Sequence, residues 1–291
     1  MTDSSPLMAT DRLLAFPAPA APDDAYENRA HIPNADGHLA AWPADAAAFR
    51  ATQPGAGIDL AHGDAARARY DLFPPAGGIG AARGLAAFIH GGYWVALSKD
   101  DFSHMAAGLM QRGWAVAVIG YTLAPQARIA EITQEVAAAM RRLAETGGGP
   151  LRLVGHSAGG HLVSRMMCDD IDLGAAATQR LDRVVSVSGL HDLRPLRHLA
   201  KNGLWRLDDE ESRAESPLLR TPRAGIDLVC VAGADERPEF IRQNAILPLA
   251  WQGLGVNCHS QLLAGHHHFS IIDTMAQADS RLCDLVDGPL A

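Results

Sequence analysis

A mostly parallel α/β sheet flanked by helices is the fold class this sequence predicts. Three observations carry it. From Ala66 onward short apolar runs of strand length alternate with helix-length segments. Several of those runs are apolar throughout, as strands covered on both faces are. One run, Leu151–Gly155, leads straight into a glycine-flanked serine and a helix-forming segment, a strand–turn–helix unit.

The elements follow in chain order. Ala15–Asp24 is rich in Pro and Ala, so residues 1–25 are expected to be a flexible arm. Ala35–Ala51 is Ala-rich, carries Trp42 and Phe49, and predicts a helix. Strands are expected over Ala66–Phe73, Leu85–His90, Trp114–Tyr121, Leu151–Gly155, Arg183–Ser188, Asp227–Gly233 and His259–Leu263. Helices are expected over Phe102–Arg112, Glu131–Glu145, Ala158–Cys168, Pro238–Gln252 and Phe269–Val286. Ile132, Val136, Ala139, Met140 and Leu143 give Glu131–Glu145 a helical period. Pro238 suits a first helical turn. His191–Leu219 fits no strand–helix unit and predicts an insertion over the active-site edge of the sheet. Residues 26–291 are therefore expected to form one domain, with a small helical insertion at 191–219.

Composition narrows the chemistry. The formal net charge of −8 over 291 residues, without a long Lys/Arg run, argues against a nucleic-acid partner. Cys168, Cys230, Cys258 and Cys283 are widely spaced and form no C-x-x-C pair, which argues against a thiolate metal site and for reduced, buried thiols. No apolar run reaches the ~18 residues of a membrane span. Met1–Thr10 lacks the basic start and apolar stretch of a signal peptide, so a cytoplasmic location is expected. A small-molecule substrate is expected, with no cofactor, metal or membrane partner; a homodimer is compatible with the sequence.

The strongest local signal is Gly155-His156-Ser157-Ala158-Gly159-Gly160. A serine hydroxyl is a weak nucleophile unless it is exposed to substrate and paired with a base. A sharp strand-to-helix turn exposes it, and small residues two positions either side let the neighbouring chains pass. The helix that follows favours developing negative charge. The second signal is His90-Gly91-Gly92-Tyr93-Trp94 at the end of a strand. Glycines let this backbone come close to a ligand, and the N–H groups of Gly92 and Tyr93, joined by that of Ala158, are candidate donors to an oxyanion. His90 is expected to brace the loop. Tyr93 and Trp94, with Trp205 and His191 in the insertion, are candidate walls for a substrate.

An acid and a histidine should follow the serine in chain order. Asp235 and Glu236 both lie just past the strand Asp227–Gly233, on the side where open α/β sheets bind ligands, whereas Asp227 is at the wrong end. His266, His267 and His268 compete as base.

The pair HGG and GHSAGG resembles the α/β-hydrolase superfamily, in particular the esterases related to hormone-sensitive lipase. The fuller His90–Trp94 motif resembles kynurenine formamidase (arylformamidase) of the α/β-hydrolase type. Further matching segments are Tyr121 with Ala124-Pro125, Ser188-Gly189-Leu190, Ser216–Leu219, Asp235 with Pro238–Phe240, and His268-Phe269 with Ile271-Ile272. The likeness spans about residues 66–286. It implies a Ser157, His268 and Asp235 triad, the base being the histidine directly before Phe269. It also implies deformylation of N-formylkynurenine in tryptophan breakdown. The alternative is a carboxylesterase or amidase acting on a small hydrophobic substrate.

Overall fold

The computed structural model describes residues 22–290. The greater part of the expected N-terminal arm, residues 1–21, lies outside them. Its last residues, Pro22–Ala25, form a helical turn against the domain.

Eight strands make one sheet: β1 (Gly57–Ala61), β2 (Arg69–Phe73), β3 (Leu85–Ile89), β4 (Ala115–Ile119), β5 (Leu151–His156), β6 (Leu181–Val187), β7 (Asp227–Gly233) and β8 (Asn257–Leu263). Their order is β1-β2-β4-β3-β5-β6-β7-β8. β1 and β2 pair antiparallel, as do β2 and β4; every later pairing is parallel. All seven expected strands are present. β1 was not expected, because Gly57–Ala61 is an edge strand with no buried residue and so has no hydrophobic pattern to announce it.

Successive residues of the central strands serve two cores. In β3, Leu85, Ala87 and Ile89 face one, and Ala86 and Phe88 the other. In β4 the split is Ala115, Ala117 and Ile119 against Val116 and Val118. This period of two explains why both strands are apolar at every position. Helices Ile129–Ala144, Ala158–Met166 and Pro238–Trp251 cover the first core; Ala35–Ala51, Ala107–Gln111 and the C-terminal turns cover the second.

The expected last helix, Phe269–Val286, is broken. Ser270–Asp273 and a 3-10 turn at Thr274–Ala276 precede a separate helix, Arg281–Asp287, whose first turn is capped by Ser280 accepting the Cys283 N–H at 3.2 Å. The insertion is a string of short helical pieces: Arg194–His198, Asn202–Trp205, Asp209–Ala214 and Pro217–Leu219.

The segment after the His90–Trp94 loop is fixed by a buried ion cluster. Lys99 Nζ lies 2.7 Å from Asp59, 2.8 Å from Asp71 and 2.7 Å from Asp100. These three carboxylates are the one acidic trio among the described residues close enough to share a cation, and the lysine ammonium fills that place. Burial works against the Lys99 charge, but hydrogen bonds to Asp100, Asp59 and Asp71 outweigh it and raise the pKa above the usual lysine value. Asp71 is fully buried, whereas Asp59 and Asp100 are exposed. Lys99→Met should therefore strand the Asp71 carboxylate and lower the unfolding free energy by about 3 kcal/mol. Asp59→Asn, at the rim, should cost less than about 1 kcal/mol. Urea denaturation of the two variants measures the difference; equal losses would refute the burial argument.

Candidate active site

Ser157 sits on the turn between β5 and the helix Ala158–Met166, with φ 57° and ψ −115°. Such a conformation in a residue with a side chain costs about 1–3 kcal/mol and persists only where the surroundings impose it. Here they do. The Ser157 N–H donates to Val187 O at 2.8 Å, and Ser157 O accepts the His161 N–H at 3.1 Å. A Cβ on Gly155 would stand 2.0 Å from Gly159 O, and one on Gly159 would stand 2.0 Å from Ile89 O. The two flanking glycines thus let the new helix lie directly on the end of β3.

The His90–Trp94 loop wraps the same point. A Cβ on Gly91 would meet the Ser157 Cβ at 3.0 Å, so this backbone lies against the serine. Gly92, Tyr93 and Trp94 have φ of 108°, 52° and 59°, three left-handed residues in succession. A Cβ on Gly92 would lie 2.2 Å from Ala96 O. The strained run is anchored at several points. Trp94 O accepts the Ala124 N–H at 2.7 Å, Tyr93 O accepts Trp205 Nε1–H at 2.7 Å, and His90 O accepts the Tyr121 hydroxyl at 2.9 Å. His90 is the expected brace: fully buried, stacked on Tyr121 at 4.3 Å, its Nδ1 2.7 Å from Gly91 O. Burial pushes its pKa down to about 3, so the ring is neutral. Among the described residues, no acceptor takes the N–H groups of Gly92, Tyr93 or Ala158, which leaves all three for a ligand.

Glu236 and His268 come from the segments that follow β7 and β8. His268 is 3% exposed and its Nδ1 lies 2.7 Å from Glu236 Oε2. The other oxygen, Oε1, accepts the Ser188 hydroxyl at 2.5 Å and the Gly233 N–H at 2.8 Å. The His268 ring packs edge-on to Phe240 at 4.6 Å and against His156 at 4.7 Å. His156 Nε2 donates to His268 O at 2.8 Å. Burial, reinforced by the neighbouring His268, keeps His156 well below its ordinary pKa and hence neutral. Serine and histidine are thus tied through adjacent residues.

The expected acid, Asp235, is not at the histidine. It is exposed, its N–H donates to His266 O at 3.0 Å, and the His268 Nδ1 partner is Glu236 instead. The chain turns sharply after Gly233, and it is Glu236 that folds back under His268. Both acids lie at this strand end in the sequence; the turn's direction, which chooses between them, is a tertiary feature. Ser188, His156 and Phe240 also contact the Glu236–His268 pair; each lies in a segment that carries the resemblance, which assigned it no role. His267 serves the backbone instead, where its Nδ1 accepts the N–H groups of Phe269 and Ser270 at 3.3 and 3.2 Å.

The expected substrate walls divide. Trp94 is fully buried and edge-on to His161 and Trp205, so it packs the loop onto the core and is no wall. His191 is likewise buried, its Nδ1 2.7 Å from Gln243 O. Tyr93, and Trp205 behind it, border a cleft of about 250 Å³.

A family model described as the alpha/beta hydrolase fold matches residues 86–235, more than half of the chain. A solved structure from Silicibacter sp., described as a candidate thioesterase, is 38% identical with a TM-score of 0.85, covering 91% of this chain and 98% of that one. A protein named kynurenine formamidase from Danio rerio is 27% identical over 211 residues, 69% of this chain and 71% of its own length. Esterase B from Lactobacillus rhamnosis, at 18% identity and a TM-score of 0.63 over 85% of this chain and 89% of its own, shares the fold.

Glu236→Gln should keep the fold and lower kcat about 10⁴-fold, the scale expected when an imidazole loses the anion that sets its tautomer. Asp235→Asn should leave kcat nearly unchanged. Steady-state kinetics decides, and a reversed order would restore Asp235 as the acid. In the same assay His268→Ala should be inactive, whereas His266→Ala and His267→Ala should retain activity.

Proposed function

The chain belongs to the α/β-hydrolase family, and on that premise we propose that it is a serine hydrolase that removes a small acyl group, with N-formylkynurenine as its substrate. The observation that carries the mechanism is the buried contact between His268 Nδ1 and Glu236, set beside the strained turn that presents Ser157. The substrate class is supported by the likeness to kynurenine formamidases and by the aromatic border of the neighbouring cleft.

In this reading His268 takes the Ser157 proton through Nε2 as Oγ bonds to the formyl carbon. The N–H groups of Gly92, Tyr93 and Ala158 receive the oxyanion. The C–N bond then breaks, and His268 passes its proton to the departing aniline nitrogen. Water, deprotonated by the same imidazole, attacks the formyl-enzyme; formate leaves and Ser157 regains its proton. Glu236, held by Ser188 and Gly233, stabilises the imidazolium that forms twice in the cycle. Four free cysteines support a reducing compartment such as the cytoplasm, and among the described residues no helix is long and apolar enough to cross a membrane.

A second reading, hydrolysis of an ester or thioester, is favoured by the 38% identical protein described as a candidate thioesterase. A substrate panel separates the two: N-formylkynurenine, the acetyl, butyryl and hexanoyl esters of p-nitrophenol, and an acyl-CoA. The expected outcome is a kcat/KM highest for the formyl anilide, with ester rates falling about tenfold or more for each methylene the acyl site rejects. Rates that climb from acetyl to hexanoyl, with no formate released from N-formylkynurenine, would establish the second reading.

A further inference from the structure

The cleft beside Tyr93 carries charges that the proposed hydrolysis does not use. Its borders come from three parts of the chain: the N-terminal segment with Tyr26, the oxyanion loop with Tyr93, and the insertion with Leu199, Lys201 and Trp205. Two of its lining residues connect it to Ser157 and His268 through intermediate residues. Tyr93 belongs to the loop that lies against Ser157. Tyr26 packs edge-on to Phe240 at 6.4 Å, and Phe240 packs on His268. The walls are tied together: the Tyr93 hydroxyl donates to Tyr26 O, the Tyr26 hydroxyl donates to Glu239 at 2.6 Å, and Ala200 N–H donates to Asp23 at 2.8 Å. At about 250 Å³, the space is below the ~300–1,000 Å³ that encloses a whole drug-sized ligand. It suits one end of a substrate.

It is bordered by side chains of both charges. Lys201 Nζ stands 5.3 Å from the centre of the Tyr93 ring, a cation–π distance. Among the described residues no carboxylate pairs with it, although the cleft is lined by Asp23, Asp24 and Glu27. Asp24 pairs with Arg237 and hydrogen-bonds His31. Asp23 and Glu27 accept only backbone N–H groups, from Ala200 and Arg29. One unpaired ammonium and two carboxylates without a cationic side chain thus border a single aromatic cleft.

We infer that this cleft is a subsite for an α-amino-acid group on the leaving side of the substrate, with Lys201 receiving its carboxylate and Asp23 and Glu27 its ammonium. The inference rests on the deformylase reading, since an aryl amino acid is the leaving group there. Arg194 and Arg206, two other cations of the insertion, are engaged elsewhere: Arg194 forks onto Asp192, and Arg206 donates to Pro125 O at 2.7 Å on the exterior.

The test is calorimetric binding to the whole protein of L-kynurenine and of ortho-aminoacetophenone, the same aryl ketone without its amino-acid tail. The unmodified protein should bind L-kynurenine about tenfold or more tightly than the tail-less ketone, the scale of one charge-assisted hydrogen bond. Lys201→Met should lower that ratio severalfold, and Lys201→Arg should restore part of it; an unchanged melting temperature shows that the variants are folded. No preference in the unmodified protein, or a preference that is undiminished in Lys201→Met, would overturn the subsite. Formate release from N-formylkynurenine by the unmodified protein is scored separately. Release without a binding preference refutes the subsite alone, and a preference without release refutes the deformylase reading alone.

Discussion

The conformation of Ser157 is the constraint on which the site depends. A side-chain-bearing residue at φ 57° and ψ −115° is unfavourable by itself and has to be imposed. The imposition comes from close backbone contact: Gly155 on Gly159, and Gly159 on the carbonyl end of β3, with no room at either for a methyl group. The same contact brings the first turn of the helix and the Gly91–Tyr93 backbone to the serine together. The Ser157 turn, the helix N-terminus and the Gly91–Tyr93 backbone are therefore brought together by one packing event. Two glycines make it sterically permissible, and the buried parallel strands make it rigid.

Glu236 plays the corresponding part for His268. It is held from both sides, by Ser188 at the end of β6 and by the Gly233 N–H at the end of β7, so one oxygen is committed to the scaffold and the other to His268. A carboxylate fixed in this way keeps the imidazole in a single orientation without itself moving. Ser188 also has a positive φ, 53°, and its N–H donates to Val231 O at 2.7 Å. Glu236 is thus oriented by a second strained strand end, adjacent in the sheet to the one that carries Ser157.

Much of this was legible in the sequence because it is written in local patterns. The parallel strands are apolar runs bounded by polar turns, the Ser157 turn is a six-residue motif, and the histidine that bonds Glu236 is the one directly before Phe269. What was not legible depends on relations between distant segments. β1 has no buried face to give it a period. The choice of Glu236 over Asp235 follows from how the chain turns after β7 to bond Ala234 and Asp235 to the Leu263–His266 segment. Trp94 and Trp205 look alike as aromatic residues near a site, yet one is enclosed by the loop it anchors and the other backs a cleft. The charges of Lys201, Asp23 and Glu27 acquire meaning only when the N-terminal segment and the insertion meet over Tyr93, and the bond that joins them there, from Ala200 to Asp23, spans 177 positions of the chain.

The central claim is that Ser157 is activated by His268. Treating the protein with a fluorophosphonate and mapping the adduct by mass spectrometry tests it most directly, since the reagent reports nucleophilicity without presuming a substrate. A single adduct on Ser157, lost in His268→Ala while the variant remains folded, is the predicted result. An adduct on another residue, or labelling of Ser157 that proceeds undiminished without His268, would contradict it.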